Sequence, residues 1–228
     1  GVDSAYLLYA AKACGCKVKG YYAKSVFQPR FELDDATRLA KELGVELAVL
    51  PLEVLDNPDI RQNRADRCYY CKQAIFTRLL TAAAADGFSV LADGTNASDD
   101  ANDRPGMRAL AELKVVSPLR LCGITKAQLR ECSRLAGLFT WNKPAYACLA
   151  TRVATGCALD GETLARIERG EQLLTSLGFR DLRLRVQGGA AKIQLPENQL
   201  DRAVKMRQDI IDGLAGDFSA VLLDLKAR

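Results

Sequence analysis

Residues 33–52 read LDDATRLAKELGVELAVLPL, and this stretch decides the fold. Its first half, from about Leu33 to Leu43, carries apolar side chains at helical spacing, and Gly44 is the kind of residue that stops a helix in the left-handed region. Its second half, VELAVLPL, is a short and almost unbroken apolar run of strand length. The same helix-to-strand unit occurs twice more. Upstream, SAYLLYAAKAC (4–14) is helical in pattern, Gly15 stops it, and KVKGYYAKS (17–25) follows as a strand. Downstream, an Ala-rich helix from Lys72 to Ala85 turns at Asp86-Gly87 into the strand FSVLADG (88–94). Helices alternating with short apolar strands predict an α/β domain with a parallel sheet covered by helices on both faces.

The texture changes after about Ala150. A helix over Gly161–Leu177 leads to DLRLRVQ, a Gly188-Gly189 turn and AAKIQLP, then to a helix from Glu197 and a last strand SAVLLDL. This reads as a small α+β domain, so the expected division is 1–150 and 151–228. A hydrophobic fraction of 49% with 26% charged residues is that of a globular chain, and no apolar run reaches the ~20 residues that span a bilayer. With no export signal visible, a cytoplasmic, non-membrane protein with reduced thiols is expected. The net charge of +4 is spread along the chain, which does not mark a nucleic-acid surface and suits anionic small substrates equally well. The chain has eight cysteines and no histidine, which excludes Ser-His and Cys-His catalysis and leaves thiolates and oxygens as metal ligands.

Three segments draw attention as a nucleotide site. Gly1-Val2-Asp3-Ser4 stands directly before a helix, so Asp3 or Ser4 is placed to cap it and free N–H groups would face an anion; a plain helix cap is the alternative. Ala23-Lys24-Ser25 ends a strand before Arg30-Phe31-Glu32 opens the next helix, which equally suits a simple connecting loop. The run from Asp93 to Gly106 includes Gly94, Thr95, Asn96, Asp99, Asp103 and Arg104 and leaves the C-terminal end of a strand, where open parallel sheets bind ligands. Its carboxylates Asp99 and Asp103 suit Mg²⁺ beside a triphosphate, with Arg104 or Arg108 to neutralise phosphate; a solvated acidic loop is the alternative. Lys126, opening a helix after Gly123-Ile124-Thr125, is a further phosphate candidate.

Two cysteine motifs complete the pattern: Arg67-Cys68-Tyr69-Tyr70-Cys71-Lys72, with two thiols three apart before a helix, and Lys143-Pro144-Ala145-Tyr146-Ala147-Cys148-Leu149-Ala150-Thr151-Arg152. A redox pair, a disulfide or half of a zinc site would also explain the first. Cys14, Cys16, Cys122, Cys132 and Cys157 lack partner spacing.

The N-terminal part resembles the PP-loop ATP pyrophosphatases, whose phosphate loop Ser-Gly-Gly-x-Asp-Ser is matched in its last four residues by Gly1, Val2, Asp3 and Ser4. That resemblance implies a Ser-Gly pair and a further strand ahead of Gly1, and an adenine lying against Ala23 and Ser25. The cysteine motifs, with Asp-Gly-Thr-Asn-x-x-Asp-Asp and Arg-Pro-Gly, narrow it to the LarE family, which the chain resembles over nearly its whole length. The resemblance implies ATP-dependent adenylylation of a carboxylate of pyridinium-3,5-biscarboxylic acid mononucleotide, release of pyrophosphate and insertion of sulfur. It also implies ATP, Mg²⁺ and a 4Fe-4S cluster on Cys68, Cys71 and Cys148 as the catalytic centre, a small-molecule nucleotide substrate, and a homo-oligomer. Members with only the cysteine matching Cys148 instead give up its sulfur. Arg183 and Arg185 alternate on one strand and so share a face that suits a substrate phosphate, with a solvated basic strand face as the alternative, and Glu171 resembles a family glutamate on the preceding helix. Asp224, near the end, carries little of the reading.

Rival functions are a tRNA thiolase of the same superfamily, for which no RNA-binding surface is visible, and a non-catalytic thiol-rich metal or redox protein, in which the Asp-Gly-Thr-Asn loop would have no role.

Overall fold

The structure is a computed structural model that describes residues 1–99 and 105–228. Its elements run α1 (Val2–Ala13), β1 (Gly20–Lys24), α2 (Arg30–Leu43), β2 (Leu47–Pro51), α3 (Pro58–Arg61), α4 (Arg67–Ala85), α5 (Pro105–Glu112), α6 (Pro118–Leu121), α7 (Lys126–Leu135), α8 (Gly161–Ser176), β3 (Arg183–Gln187), β4 (Ala190–Gln194), α9 (Leu200–Lys205), α10 (Arg207–Leu214) and β5 (Val221–Leu223). The chain divides into two compact units. Residues 1–54 and 66–145 form the first; residues 55–65 and 146–228 form the second.

In the first unit β1 and β2 pair in parallel, Gly20 against Leu47 through Lys24 against Pro51, as the repeated helix-to-strand pattern requires. Gly44 ends α2 in the left-handed conformation with φ of 59°. The apolar stripes of the helices meet in cores, two of them among the described residues around α1. Val2 packs with Leu119 and Leu129, and Ala5 packs with Leu39 and Leu138. The expected strand at 88–94 is reduced to a single parallel bridge, Ala92 to Val116, flanked by bonds from Val116 N to Leu91 O and from Asp93 N to Val116 O. A strand needs a continuous ladder, and only Val116 offers this segment a partner among the described residues. A cavity of about 1050 Å³ is lined by β1 residues Gly20, Tyr21 and Tyr22, by Val90 to Thr95, and by the start of α1.

The second unit is a three-stranded mixed sheet in the order β3, β4, β5, with β3 antiparallel to β4 and β4 parallel to β5. The two-residue turn Gly188-Gly189 places both glycines at positive φ, 56° and 85°, which closes the hairpin with Gln187 opposite Ala190. Helix α8, capped by Asp160 on the amide of Thr163, buries Leu164, Ile167 and Leu174. Gly170 lets α8 approach β3 closely, because a Cβ there would stand 2.5 Å from Leu184 Cδ1. The unit begins at Tyr146 rather than at 151, and it takes in residues 55–65 because Asn63 and Arg61 bond the backbone of Ala154, Gly156 and Leu159. Among the described residues no helix is long and apolar enough to cross a membrane.

Candidate functional site

Helix α1 starts at Val2 with Gly1 as its cap and no side-chain capping bond, so Asp3 and Ser4 lie inside the first turn rather than ahead of it. Val2 and Ala5 both reach the core, so the turn that carries Asp3 and Ser4 between them is helical. Asp3 then faces the Asp93–Asp99 loop. Lys126 Nζ stands 2.6 Å from both carboxylate oxygens of Asp3, and Asn96 Nδ2 donates to Oδ1 at 3.2 Å. Lys126 occupies the first position of α7, whose capping box joins Thr125 and Gln128, and its amide donates to Ser98 Oγ. Gly94 is pressed against this turn. A Cβ there would lie 2.8 Å from Ser4 N and 2.9 Å from Asp3 C.

The loop holds its own shape through short bonds. Asp93 accepts from Thr95 Oγ1 at 2.5 Å and from Ser117 Oγ at 2.6 Å, and the Asn96 amide donates to Asp99 Oδ2 at 2.9 Å. Arg120 Nη1 ties down the carbonyl of Asp99. Gly1, Asp3, Ser4, Gly94, Thr95 and Asp99 all line this cavity, so two sequence segments far apart in the chain meet around one space. Lys72 lines it too and was not singled out from sequence; its signal is its place one turn after Cys68 on the same face of α4. Asp103 and Arg104 lie outside the described residues.

Ser25 is buried and folded into its own turn: its hydroxyl donates to Gln28 Oε1 at 2.7 Å and accepts from the amide of Phe27. Ala23 sits in β1 opposite Leu50. Neither lines the cavity that gathers Gly1–Ser4 and Gly94–Thr95.

Helix α4 begins at Arg67, five residues earlier than the Lys72 start read from sequence, since nothing between Arg67 and Lys72 breaks a helix. Cys68 and Cys71 are therefore within its first two turns instead of ahead of it. Arg67 Nη2 lies 3.8 Å from Cys68 Sγ. Arg108 stacks over the ring of Tyr69, 3.9 Å from its centroid, and Glu112 accepts from Tyr69 Oη and Gln73 Nε2, both at 2.7 Å. Arg108 is thus held at the cysteine turn of α4.

In the second unit Cys148 caps a short 3₁₀ turn, Leu149–Arg152. Arg152, 1% exposed, meets Glu171 through Nε to Oε1 at 2.7 Å and Nη2 to Oε2 at 3.3 Å. Glu171 also accepts from Tyr146 Oη at 2.6 Å and from the amide of Leu184 at 3.0 Å. Arg183 and Arg185 do share a face of β3, in unlike settings. Burial, with Arg152 and Arg228 close by, pushes the Arg183 guanidinium down to about 10. Arg185 is exposed, reaching Gln194 Oε1 at 2.7 Å and the carbonyl of Thr151 at 2.5 Å. Asp224 accepts from Gln194 and Lys192, which pull its carboxyl down to about 2. None of the eight cysteines is in a disulfide. Among the described residues no three Cys, Asp or Glu side chains are gathered so as to hold a metal ion; Cys68 and Cys71 lie in the first unit and Cys148 in the second.

No family model matches the chain. Among curated proteins it is 33% identical over 169 residues to the pyridinium-3,5-bisthiocarboxylic acid mononucleotide synthase of Lactiplantibacillus plantarum, a match covering 74% of this chain and 61% of the synthase. Over that span the chain is similar to a LarE-type synthase. It is also 35% identical over 174 residues to an uncharacterized Synechocystis protein, covering 76% of this chain and 65% of that protein. The chain thus spans under two thirds of the length of both relatives. Among solved structures, a predicted subunit of a tRNA methyltransferase from Methanocaldococcus jannaschii superposes with a TM-score of 0.38 at 18% identity, covering 65% of this chain and 90% of that one. The chain itself is α/β, with a parallel pair in its first unit and a small mixed sheet in its second.

Proposed function

We propose that this chain is a LarE-family ATP-dependent sulfurtransferase, a cytoplasmic homo-oligomer that converts a carboxylate of pyridinium-3,5-biscarboxylic acid mononucleotide to the thiocarboxylic acid. The observation that supports this most is the cavity of about 1050 Å³ lined by Gly1, Asp3, Ser4, Gly94 and Thr95, whose Asp3 is held by Asn96 and Lys126, in a relative of a synthase that bears that product's name. In the proposed first step a substrate carboxylate oxygen attacks the α-phosphorus of ATP and pyrophosphate leaves. Lys126 and the amides at the start of α1 would orient the phosphates, with Ala23 and Ser25 near the adenine. Asp99 offers a carboxylate on the cavity wall for Mg²⁺, with Asp103 and Arg104 assigned beside it by motif alone, and the metal would supply charge neutralisation. Arg183 and Arg185 would take the substrate phosphate, and Glu171 would order the buried end of that arginine pair.

In the second step sulfur attacks the acyl carbon and AMP leaves. Cys68, Cys71 and Cys148 have the chemistry of iron–sulfur ligands, and the finer proposal is that they hold a 4Fe-4S cluster. The test is anaerobic purification of the full-length protein, with iron and acid-labile sulfide counted and the polypeptide mass recorded before and after one turnover. About four irons per chain and an unchanged mass support the cluster. No iron and the loss of one H₂S from Cys148 would make that cysteine the sulfur donor, leaving dehydroalanine. Failure to release pyrophosphate with ATP and substrate would overturn the whole proposal.

A further inference from the structure

The Cys148 turn is held by a buried side chain that the proposed chemistry leaves without a role. A single nitrogen of Arg152, Nη1, donates to the carbonyl of Ala147 at 3.0 Å, approaches the carbonyl of Cys148 at 3.4 Å and donates to Thr151 Oγ1 at 2.7 Å. Thr151 in turn donates to the Cys148 carbonyl twice, from its hydroxyl at 2.8 Å and from its amide at 3.0 Å. The carbonyls before and after the Cys148 α-carbon are therefore both anchored to one guanidinium. With those two peptide planes fixed, the Cα–Cβ direction is fixed as well, and the thiol keeps only rotation about χ1.

The guanidinium is itself immobilised. Glu171 grips Nε and Nη2, and the carboxylate is oriented by Tyr146 Oη and the Leu184 amide, so α8 and β3 both brace it. The Tyr146 ring lies 4.6 Å from the Arg152 guanidinium. A buried ion pair is a poor way to gain stability, since well-packed apolar residues of like volume serve as well or better. Directional hydrogen bonds are what this pair adds.

We infer that Arg152, held by Glu171 and relayed through Thr151, is a positioning residue that sets the direction of the Cys148 thiol for the sulfur step. The inference rests on the proposed function in giving Cys148 a part in that step. Misplacing a reacting group by about 1 Å costs on the order of a hundredfold in rate, so loosening this anchor falls on sulfur transfer and leaves adenylylation alone.

The test uses Thr151→Val, which removes the hydroxyl relay while leaving the buried Arg152–Glu171 pair, and Thr151→Ser, which restores the hydroxyl. In the full-length protein, ATP–pyrophosphate exchange with substrate reads adenylylation, single-turnover thiocarboxylate formation reads sulfur transfer, and peptide-mapped alkylation by iodoacetamide reads the thiol itself. The expected result for Thr151→Val is sulfur transfer slowed about tenfold or more, with exchange unchanged and Thr151→Ser recovering most of the rate. The alkylation rate of Cys148 should change while those of Cys68 and Cys71 do not. Parallel loss of exchange and transfer, or failure of serine to rescue, would overturn the inference. A wild-type chain inactive in both half-reactions would sink the proposed function, and the alkylation comparison would still judge the anchor: an unaltered Cys148 rate in Thr151→Val refutes it.

Discussion

Replacing Gly94 by alanine should damage the protein far more than adding a methyl group elsewhere, because the atoms it meets are backbone. The new Cβ would lie 2.8 Å from Ser4 N and 2.9 Å from Asp3 C, whereas ordinary contact begins at 3.4 Å, so the Asp93–Asp99 loop and the start of α1 must separate by about 0.6 Å. Neither side yields cheaply. Val2 and Ala5 fix α1 in its cores, and Asp93 is bonded to Thr95 and Ser117 on the loop side. Overpacking of this kind costs about 1–3 kcal/mol. For a chain of this size each kcal/mol lowers Tm by about 2–4 °C, so a fall of about 2–12 °C is expected in a thermal melt. Gly106→Ala is the internal control. Its Cβ would also meet atoms at 2.8 and 2.9 Å, but these are Cδ and Cε of the Lys72 side chain, which rotates away, and alanine in α5 gains up to about 1 kcal/mol of helix propensity. The two variants, melted side by side and titrated with ATP, should separate clearly, Gly94→Ala losing both stability and affinity. A Gly94→Ala protein that melts with wild type, or a Gly106→Ala protein that loses as much, would refute the reasoning.

Glu171→Ala leaves the Arg152 charge buried without its carboxylate and should cost about 3–5 kcal/mol in urea unfolding; the double variant Glu171→Leu/Arg152→Met should recover part of this, and a double loss equal to the sum of the single losses would contradict the coupling. Asp160→Ala removes the cap on the Thr163 amide and should cost about 1 kcal/mol, with an effect near zero counting against the cap. Tyr21 is pushed up to about 12 by burial and by its bond to Asp86, so its folded-state value lies above the ordinary value of about 10. Its contribution is present in full below about pH 10 and is lost as pH rises toward 12; phenolate absorbance should show a late-titrating component equal to one tyrosine that disappears in Tyr21→Phe, while Tyr6, also raised by burial, still titrates late. Asp86, drawn down by Lys19 and Tyr21, works at the other end: its contribution is present above about pH 4 and is lost on further acidification, so acid melts of Asp86→Asn should show a flatter fall than wild type.

What the sequence by itself determined is what depends on neighbours a few residues apart. The 3.6-residue stripe of α2, the left-handed Gly44 and the Gly188-Gly189 hairpin are set by local sterics and local hydrogen bonds, and all can be read from residues 33–52 and 181–196 alone. The start of α4 differs from the Lys72 expected from sequence because Asp66, at its N-cap, makes no side-chain capping bond, and the strand expected at 88–94 is only a bridge because an apolar run does not say whether a ladder partner exists. The candidate site was legible as three polar segments and two cysteine motifs, without their joining. That Lys126 grips Asp3 across 123 positions, that Lys72 lines the cavity, and that Glu171 spends its carboxylate on Arg152, Tyr146 and the Leu184 amide were decided only by tertiary packing. A charged side chain finds its partner where the burial of distant apolar faces happens to deliver one, and no local periodicity encodes that meeting.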